Sequence, residues 1–196
     1  MNARIENYLK AYNLLQLTGW TFALLSLPFN FSISFYTVCI FQIISMVEIF
    51  HAWKKWNNSS PVYCFLQLSA RLMILFFSYT IALITIFKPI HFFSEVLIIL
   101  IIVWSLAEII RYAFYLSQLF KLHIKIFTWW RYTAFTILYP AGILSEFYIL
   151  YLMFTLNNLI IIKILVIILG IVYLVVFPML YLHLLKQRQK KMRKEI

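Results

Sequence analysis

Apolar residues run along this chain in blocks of helix length, separated by short polar punctuation, and the pattern predicts six helices that each cross a membrane. The blocks fall at about residues 9–27, 33–53, 61–87, 92–116, 129–155 and 159–184. Each is near the roughly 20 residues a helix needs to span the hydrocarbon core. A barrel is the other way to satisfy every backbone polar group in lipid, but it would show short alternating segments rather than continuous runs. No internal repeat or low-complexity stretch interrupts the pattern, so residues 1–196 read as a single six-helix domain with a basic tail at 185–196. The opening MNARIENYLK lacks a charged stretch followed by a short apolar core and a small-residue cleavage site, so the first span is expected to insert uncleaved.

Composition supports this class: 64% of the residues are hydrophobic and 12% charged, which no soluble domain of this size matches. The net charge of +11 could suggest a nucleic-acid partner, but the placement of the charges argues against one. With an even number of spans both termini share a side. That side collects Arg4, Lys10, Lys54, Lys55, Lys121, Lys125 and the tail cations Lys186, Arg188, Lys190, Lys191, Arg193 and Lys194, against Lys88 alone in the opposite loops and Lys163 just inside the sixth span. Cytoplasmic loops carry the excess of Lys and Arg, so both termini are predicted to be cytoplasmic. Trp53, Trp56, Trp129 and Trp130 fall at the same ends, where an amphipathic ring prefers the headgroup level. The tail is expected to meet anionic membrane lipid, and its last residues, RKEI, resemble a dibasic endoplasmic reticulum retrieval signal. Cys39 and Cys64 have no spacing that suggests a disulfide, zinc or redox motif and read as small buried residues.

The informative positions are the ionisable residues left inside the spans, because a charge at the bilayer centre costs about 2.5 to 3.5 kcal/mol even on the mildest scale. These are Glu48, His51, Arg71, Glu108, Arg111 and Glu146, all from spans two to five, which are therefore expected to line one polar interior. Spans one and six contribute none, although Lys163 and His183 sit near the ends of the sixth. The alternating directions of the spans put Glu48, His51, Gln67, Arg71, Glu108 and Arg111 in the cytoplasmic half, Tyr139 near mid-depth and Glu146 beyond it. Glu108 and Arg111 stand at i, i+3 on one helix, and Glu48 and Arg71 are close enough in depth to meet across helices. Mutual pairing and direct ligand contact both remain open for this set.

Glu146 is different, since its own helix offers no basic residue within a turn or two. It is expected to be protonated or to point into a wet cavity. Tyr139 lies seven residues before it, so the two side chains return to within about 20° of one face, about 10.5 Å apart along the helix. A kink after Tyr139, from Pro140, would leave room there. A tyrosine hydroxyl and a carboxyl group in a dry pocket suit paired proton transfers, and no cofactor or metal motif is visible. Elimination of water from a 3-hydroxyacyl thioester needs that pair: one group takes the proton alpha to the carbonyl and the other protonates the departing hydroxyl. Which of the two takes the alpha proton is open.

The segments YNLLQLTGW (12–20), VEIFH with LQLSAR (47–71), WSLAEIIRYAFY (104–115), WRYTAFTILYPAGILSE (130–146) and FPMLYLHLLKQR (177–188) resemble, in order and spacing, the very-long-chain 3-hydroxyacyl-CoA dehydratase family, formerly called protein tyrosine phosphatase-like A. The resemblance implies that Tyr139 and Glu146 are the catalytic pair. It also implies a six-span enzyme of the endoplasmic reticulum that performs the third step of fatty acid elongation on a long-chain 3-hydroxyacyl-CoA, alongside the other enzymes of that cycle. Where the family commonly has Gly and then Pro after His51, this chain has Lys55 and Asn58, while Ser59, Ser60, Gln67 and Arg71 keep their spacing.

Arg71, Arg111 and Arg131 are candidates for the CoA phosphates, because guanidinium suits phosphate. Phosphatase chemistry would need a Cys and an Arg five residues apart on a phosphate-cradling loop; the nearest candidates, Cys64 and Arg71, have six residues between them and no glycine. Two other classes are weighed. A non-catalytic scaffold of the elongation enzymes would not need to retain both catalytic residue types. A transporter or channel would be expected to repeat its broken helix, and Pro140 and Gly142 of span five have no counterpart in span two.

Overall fold

The long apolar blocks form helices throughout. In the computed structural model the described residues are 3–56, 60–86, 90, 92–122 and 124–195. Asn58, Ser59 and Lys88, and the side chains of His183 and of residues 190–196, lie outside this description. The helices are α1 (Ala3–Ser26), α2 (Phe31–Ser45), α3 (Val47–Trp53), α4 (Pro61–Thr85), α5 (Phe93–Leu119), α6 (Lys125–Thr133), α7 (Phe135–Leu156) and α8 (Ile160–Glu195). No strand occurs among the described residues.

Two of the expected single helices are interrupted. The second block breaks at Met46 into α2 and α3, and the fifth begins earlier than expected and breaks at Ala134 into α6 and α7. Pro140 itself lies inside continuous helix, so the irregularity expected just after Tyr139 sits upstream instead. This is the side on which a proline ring crowds the preceding turn and removes a hydrogen bond. The last helix does not stop at residue 184 but runs on through the basic tail.

Among the described residues, five helical segments are long and apolar enough to cross a membrane: Phe31–Trp53, Pro61–Thr85, Phe93–Leu119, Lys125–Leu156 and Ile160–Met179. The expected first span is not among them, although α1 is a helix of 24 residues. The reason lies in the distribution of its polar groups. Asn13 and Gln16 are buried against the other helices, while Leu14, Leu15, Phe22 and Leu25 face outward. The helix is thus less apolar on average than its outer surface.

α5 is central, packing against α1, α2, α6 and α7. Trp20, Ile74, Phe77, Ile81, Leu100 and Ile149 are among the fully buried side chains of the shared core. Gly19 permits close contact of α1 with α2, since a Cβ there would lie 2.0 Å from the Phe41 ring. Trp53, Trp129 and Trp130 are exposed as interfacial rings should be, whereas Trp56 is half-buried and stacks on His51 at 5.6 Å.

The ends of α3 and α5 share one device. The Trp56 N–H bonds to the His51 carbonyl (2.9 Å) and the Lys55 N–H to that of Ala52 (3.1 Å); at the second end the Leu122 N–H bonds to Ser117 (2.8 Å) and the Lys121 N–H to Gln118 (3.1 Å). These are Schellman closures, which require a left-handed residue and favour glycine there. Here Lys55 and Lys121 take that conformation, at φ 56° and 55°. The glycine that the resemblance leads one to expect at the position of Lys55 would have a backbone reason. Left-handed backbone costs a side-chain-bearing residue about 1 to 2 kcal/mol, so Lys55→Gly should raise the unfolding midpoint of the detergent-solubilised protein. An unchanged or lower midpoint would count against this reading.

Candidate active site

α3, α4, α5, α6, α7 and α8 surround a cavity of about 330 Å³. Of the residues singled out from the sequence, Glu48, Gln67, Arg71, Glu108, Arg111, Arg131, Tyr139 and Glu146 line it. His51 does not. It is buried toward α1, where its Nε2 meets the Tyr8 hydroxyl at 2.9 Å and its ring stands edge-on to Tyr12 at 4.8 Å. Three residues after Glu48 on a helix, its side chain is rotated by about 60° from that of Glu48, enough to leave the cavity.

The four charges at one end of the cavity pair with one another, but not as depth alone suggested. Arg71 is ion-paired with Glu108, not with Glu48. Glu48 instead accepts from Arg111 at 2.9 Å, and Arg111 also pairs with Glu108 at 2.5 Å, the i, i+3 contact expected within α5. Tyr112 (2.5 Å) and Tyr12 (3.4 Å) add hydroxyl donors to the same oxygen of Glu48. Gln16 continues the network from Tyr12 (3.1 Å) to Ser45 (3.2 Å). Buried charges persist when their remaining hydrogen-bonding capacity is met, and here α1 supplies part of it. The expectation that spans one and six stay outside the polar interior is therefore corrected at both ends: α1 brings Tyr12 and Gln16, and α8 brings Tyr173 to the cavity wall.

Tyr139 and Glu146 face the same cavity from α7. The Tyr139 ring stacks on Phe177 at 5.1 Å and lies parallel to Tyr181 at 6.1 Å, both on α8. Glu146 is buried; its Oε1 accepts from the Trp104 indole N–H at 2.9 Å, and the Tyr173 hydroxyl is hydrogen-bonded to the same carboxyl group. The Arg71 guanidinium lies over the Trp104 ring at 5.0 Å. The sequence reading passed over Trp104 and Tyr173. The signal for Trp104 was its position in the middle of a span, away from the interfacial tryptophans, where a buried indole N–H needs an acceptor. Tyr173 is one of 13 tyrosines and carries no such mark.

Cys64 and Arg71 both stand on the single helix α4, and the Cys64 N–H is bonded to the Ser60 carbonyl at 3.0 Å, so no loop of free amides surrounds the thiol. Both cysteines are free and only half-buried. Among the described residues no three His, Cys, Asp or Glu side chains gather where a cation could be held.

Comparison with known proteins places this architecture. The family described as protein tyrosine phosphatase-like protein, PTPLA, matches residues 42–194. The chain belongs to the PTPLA family. Among PTPLA relatives, the Schizosaccharomyces pombe protein named "Probable very-long-chain (3R)-3-hydroxyacyl-CoA dehydratase" is 34% identical over 71% of this chain and 70% of its own length. A very-long-chain (3R)-3-hydroxyacyl-CoA dehydratase of Caenorhabditis elegans is 28% identical over 95% of this chain and 94% of its own. Dehydratase 1 of that name from Canis lupus familiaris is 29% identical over 82% and 68%. No solved structure matches.

Proposed function

We propose that this PTPLA chain dehydrates a long-chain 3-hydroxyacyl-CoA to the trans-2-enoyl-CoA, the third step of very-long-chain fatty acid elongation, with Tyr139 and Glu146 as the proton-transfer pair. The observation that carries the assignment of the pair is that both side chains face one cavity while the four charges beside them are consumed in mutual pairs. One of the pair removes the proton from carbon 2. As the double bond forms between carbons 2 and 3, the other protonates the hydroxyl leaving carbon 3, and water departs. One group has then gained a proton and the other has lost one, and transfer of that proton between them through solvent restores both. Apolar side chains of α5, α7 and α8, such as Val103, Ile143 and Val176, give the acyl chain a dry wall.

The pairing also narrows the candidates for the CoA end. Arg71 and Arg111 are held by Glu108 and Glu48, which leaves Arg131, half-buried on α6, as the cavity cation best placed for a phosphate.

The enzyme is a multi-pass protein of the endoplasmic reticulum membrane, working beside the other elongation enzymes in contact with membrane lipid. α1 is the first of its six spans and both termini are cytoplasmic. The charge distribution supports this orientation, and the apolar outer face of α1 supports the span. Epitope tags at the two ends should both be reached by antibody in cells whose plasma membrane alone is permeabilised. A tag that needs permeabilisation of the internal membrane would contradict the six-span arrangement.

The activity is tested by incubating detergent-purified protein with long-chain 3-hydroxyacyl-CoA and following loss of one water by mass spectrometry. Turnover is expected. A folded protein that turns over none of several chain lengths would favour a non-catalytic scaffold.

A further inference from the structure

We infer that Trp104 is a positioning residue for the dehydration: its indole N–H pins one oxygen of Glu146 and so aims the other at the substrate. The inference rests on the dehydratase reading and adds to it a group that touches no reacting atom.

The terminal torsion of a glutamate is broad and nearly two-fold, so a carboxyl group in a cavity has no fixed direction of its own. Here it has one. The indole N–H can only donate, which makes Oε1 of Glu146 its acceptor at 2.9 Å and holds the carboxyl group in one orientation. The indole is in turn fixed on more than one side. Trp104 is 2% exposed; the Arg71 guanidinium lies over its ring at 5.0 Å, and Arg71 is itself ion-paired with Glu108. On the α7 side, a Cβ at Gly142 would stand 3.9 Å from Nε1 and 4.0 Å from Cδ1. Gly142 precedes Glu146 by one helical turn, so the ring lies against α7 beside the carboxyl group, at a distance where a Cβ would make ordinary contact with it. Tyr173 contacts that group from α8. The charged quartet is thereby joined to the proton-transfer pair through one aromatic ring.

Trp104→Phe keeps an aromatic ring and removes the donor. With full-length protein in detergent, kcat of the variant should fall by about 100-fold, the scale of a misplacement near 1 Å, while KM stays near the wild-type value and the pH dependence of kcat is displaced. A packing role alone would lower the unfolding midpoint and leave kcat and its pH profile as they were. Labelling with ¹⁵N-tryptophan gives a reading that needs no turnover. Of the six tryptophan indoles, a single N–H resonance should move in Glu146→Gln, and the same resonance should be missing in Trp104→Phe. If Trp104→Phe does not fold, the Glu146→Gln shift and a Tyr173→Phe control, in which that resonance persists, still decide whether the bond exists. Wild-type kcat and pH profile in Trp104→Phe, or no indole shift in Glu146→Gln, overturns the proposal with the dehydratase reading intact. A wild-type protein that turns over no 3-hydroxyacyl-CoA removes the reading itself, and the positioning role with it.

Discussion

Glu146→Gln and Tyr139→Phe should each lower kcat by about 10²- to 10⁴-fold, the usual contribution of a positioned acid or base, and leave the protein folded. Both changes are nearly isosteric. In Glu146→Gln the new amide oxygen can still accept from the Trp104 indole, with a different strength from the carboxyl oxygen, so the packing survives the loss of the proton-carrying function while the indole N–H still registers the change. Tyr139→Phe keeps the ring that stacks on Phe177 at 5.1 Å and faces Tyr181, so α7 and α8 remain packed while only the hydroxyl is removed. Because the two groups act within one elimination, the double variant should fall little below the worse single one. The comparison is made by mass spectrometry of substrate and enoyl product, with unfolding midpoints measured on the same samples. A single variant within about threefold of wild type would remove that residue from the pair, since losses this small do not report a proton-transfer group.

How far the sequence could be read depends on the coordinate in question. Position along a span is written in the chain, which is why the apolar blocks, the common cavity of Tyr139 and Glu146, and the polar cluster beside them were all legible. Position around a helix, and which helix stands next to which, is not. Glu48 and Arg71 agree in depth, yet Arg71 meets Glu108 and Glu48 meets Arg111, because packing sets the azimuth of each helix. His51 was lost for the same reason. Uncharged polar groups were illegible on other grounds. The hydroxyls of Tyr12, Tyr112 and Tyr173 and the amide of Gln16 are tolerable almost anywhere in an aromatic-rich membrane chain, so nothing marked them before their partners were seen. The apolar average of α1 is lowered by amides that turn inward, while its outer face is oily.

Arg111→Met should be the most destabilising single change in the cavity wall, at about 3 to 5 kcal/mol, the cost of removing one partner from a buried ion pair. Arg111 contacts Glu48 at 2.9 Å and Glu108 at 2.5 Å, and its Nη2 also donates to the Tyr112 hydroxyl at 2.7 Å. In the wild type two carboxylates face two guanidiniums. Without Arg111, Glu108 keeps its pair with Arg71, while Glu48 keeps tyrosine donors but no cation. Adding Glu48→Gln restores the balance of charge, so the double variant should lose less than the sum of the two singles, with a coupling of about 0.5 to 3 kcal/mol. Unfolding of the detergent-solubilised proteins by heat gives all four corners of this cycle. The alternative role for Arg111, holding a CoA phosphate, makes the opposite prediction: unchanged stability, a raised KM and no coupling to Glu48. That result would mean the arginine is displaced from its carboxylates when substrate arrives, and the quartet would then belong to the binding site rather than to the frame that supports it.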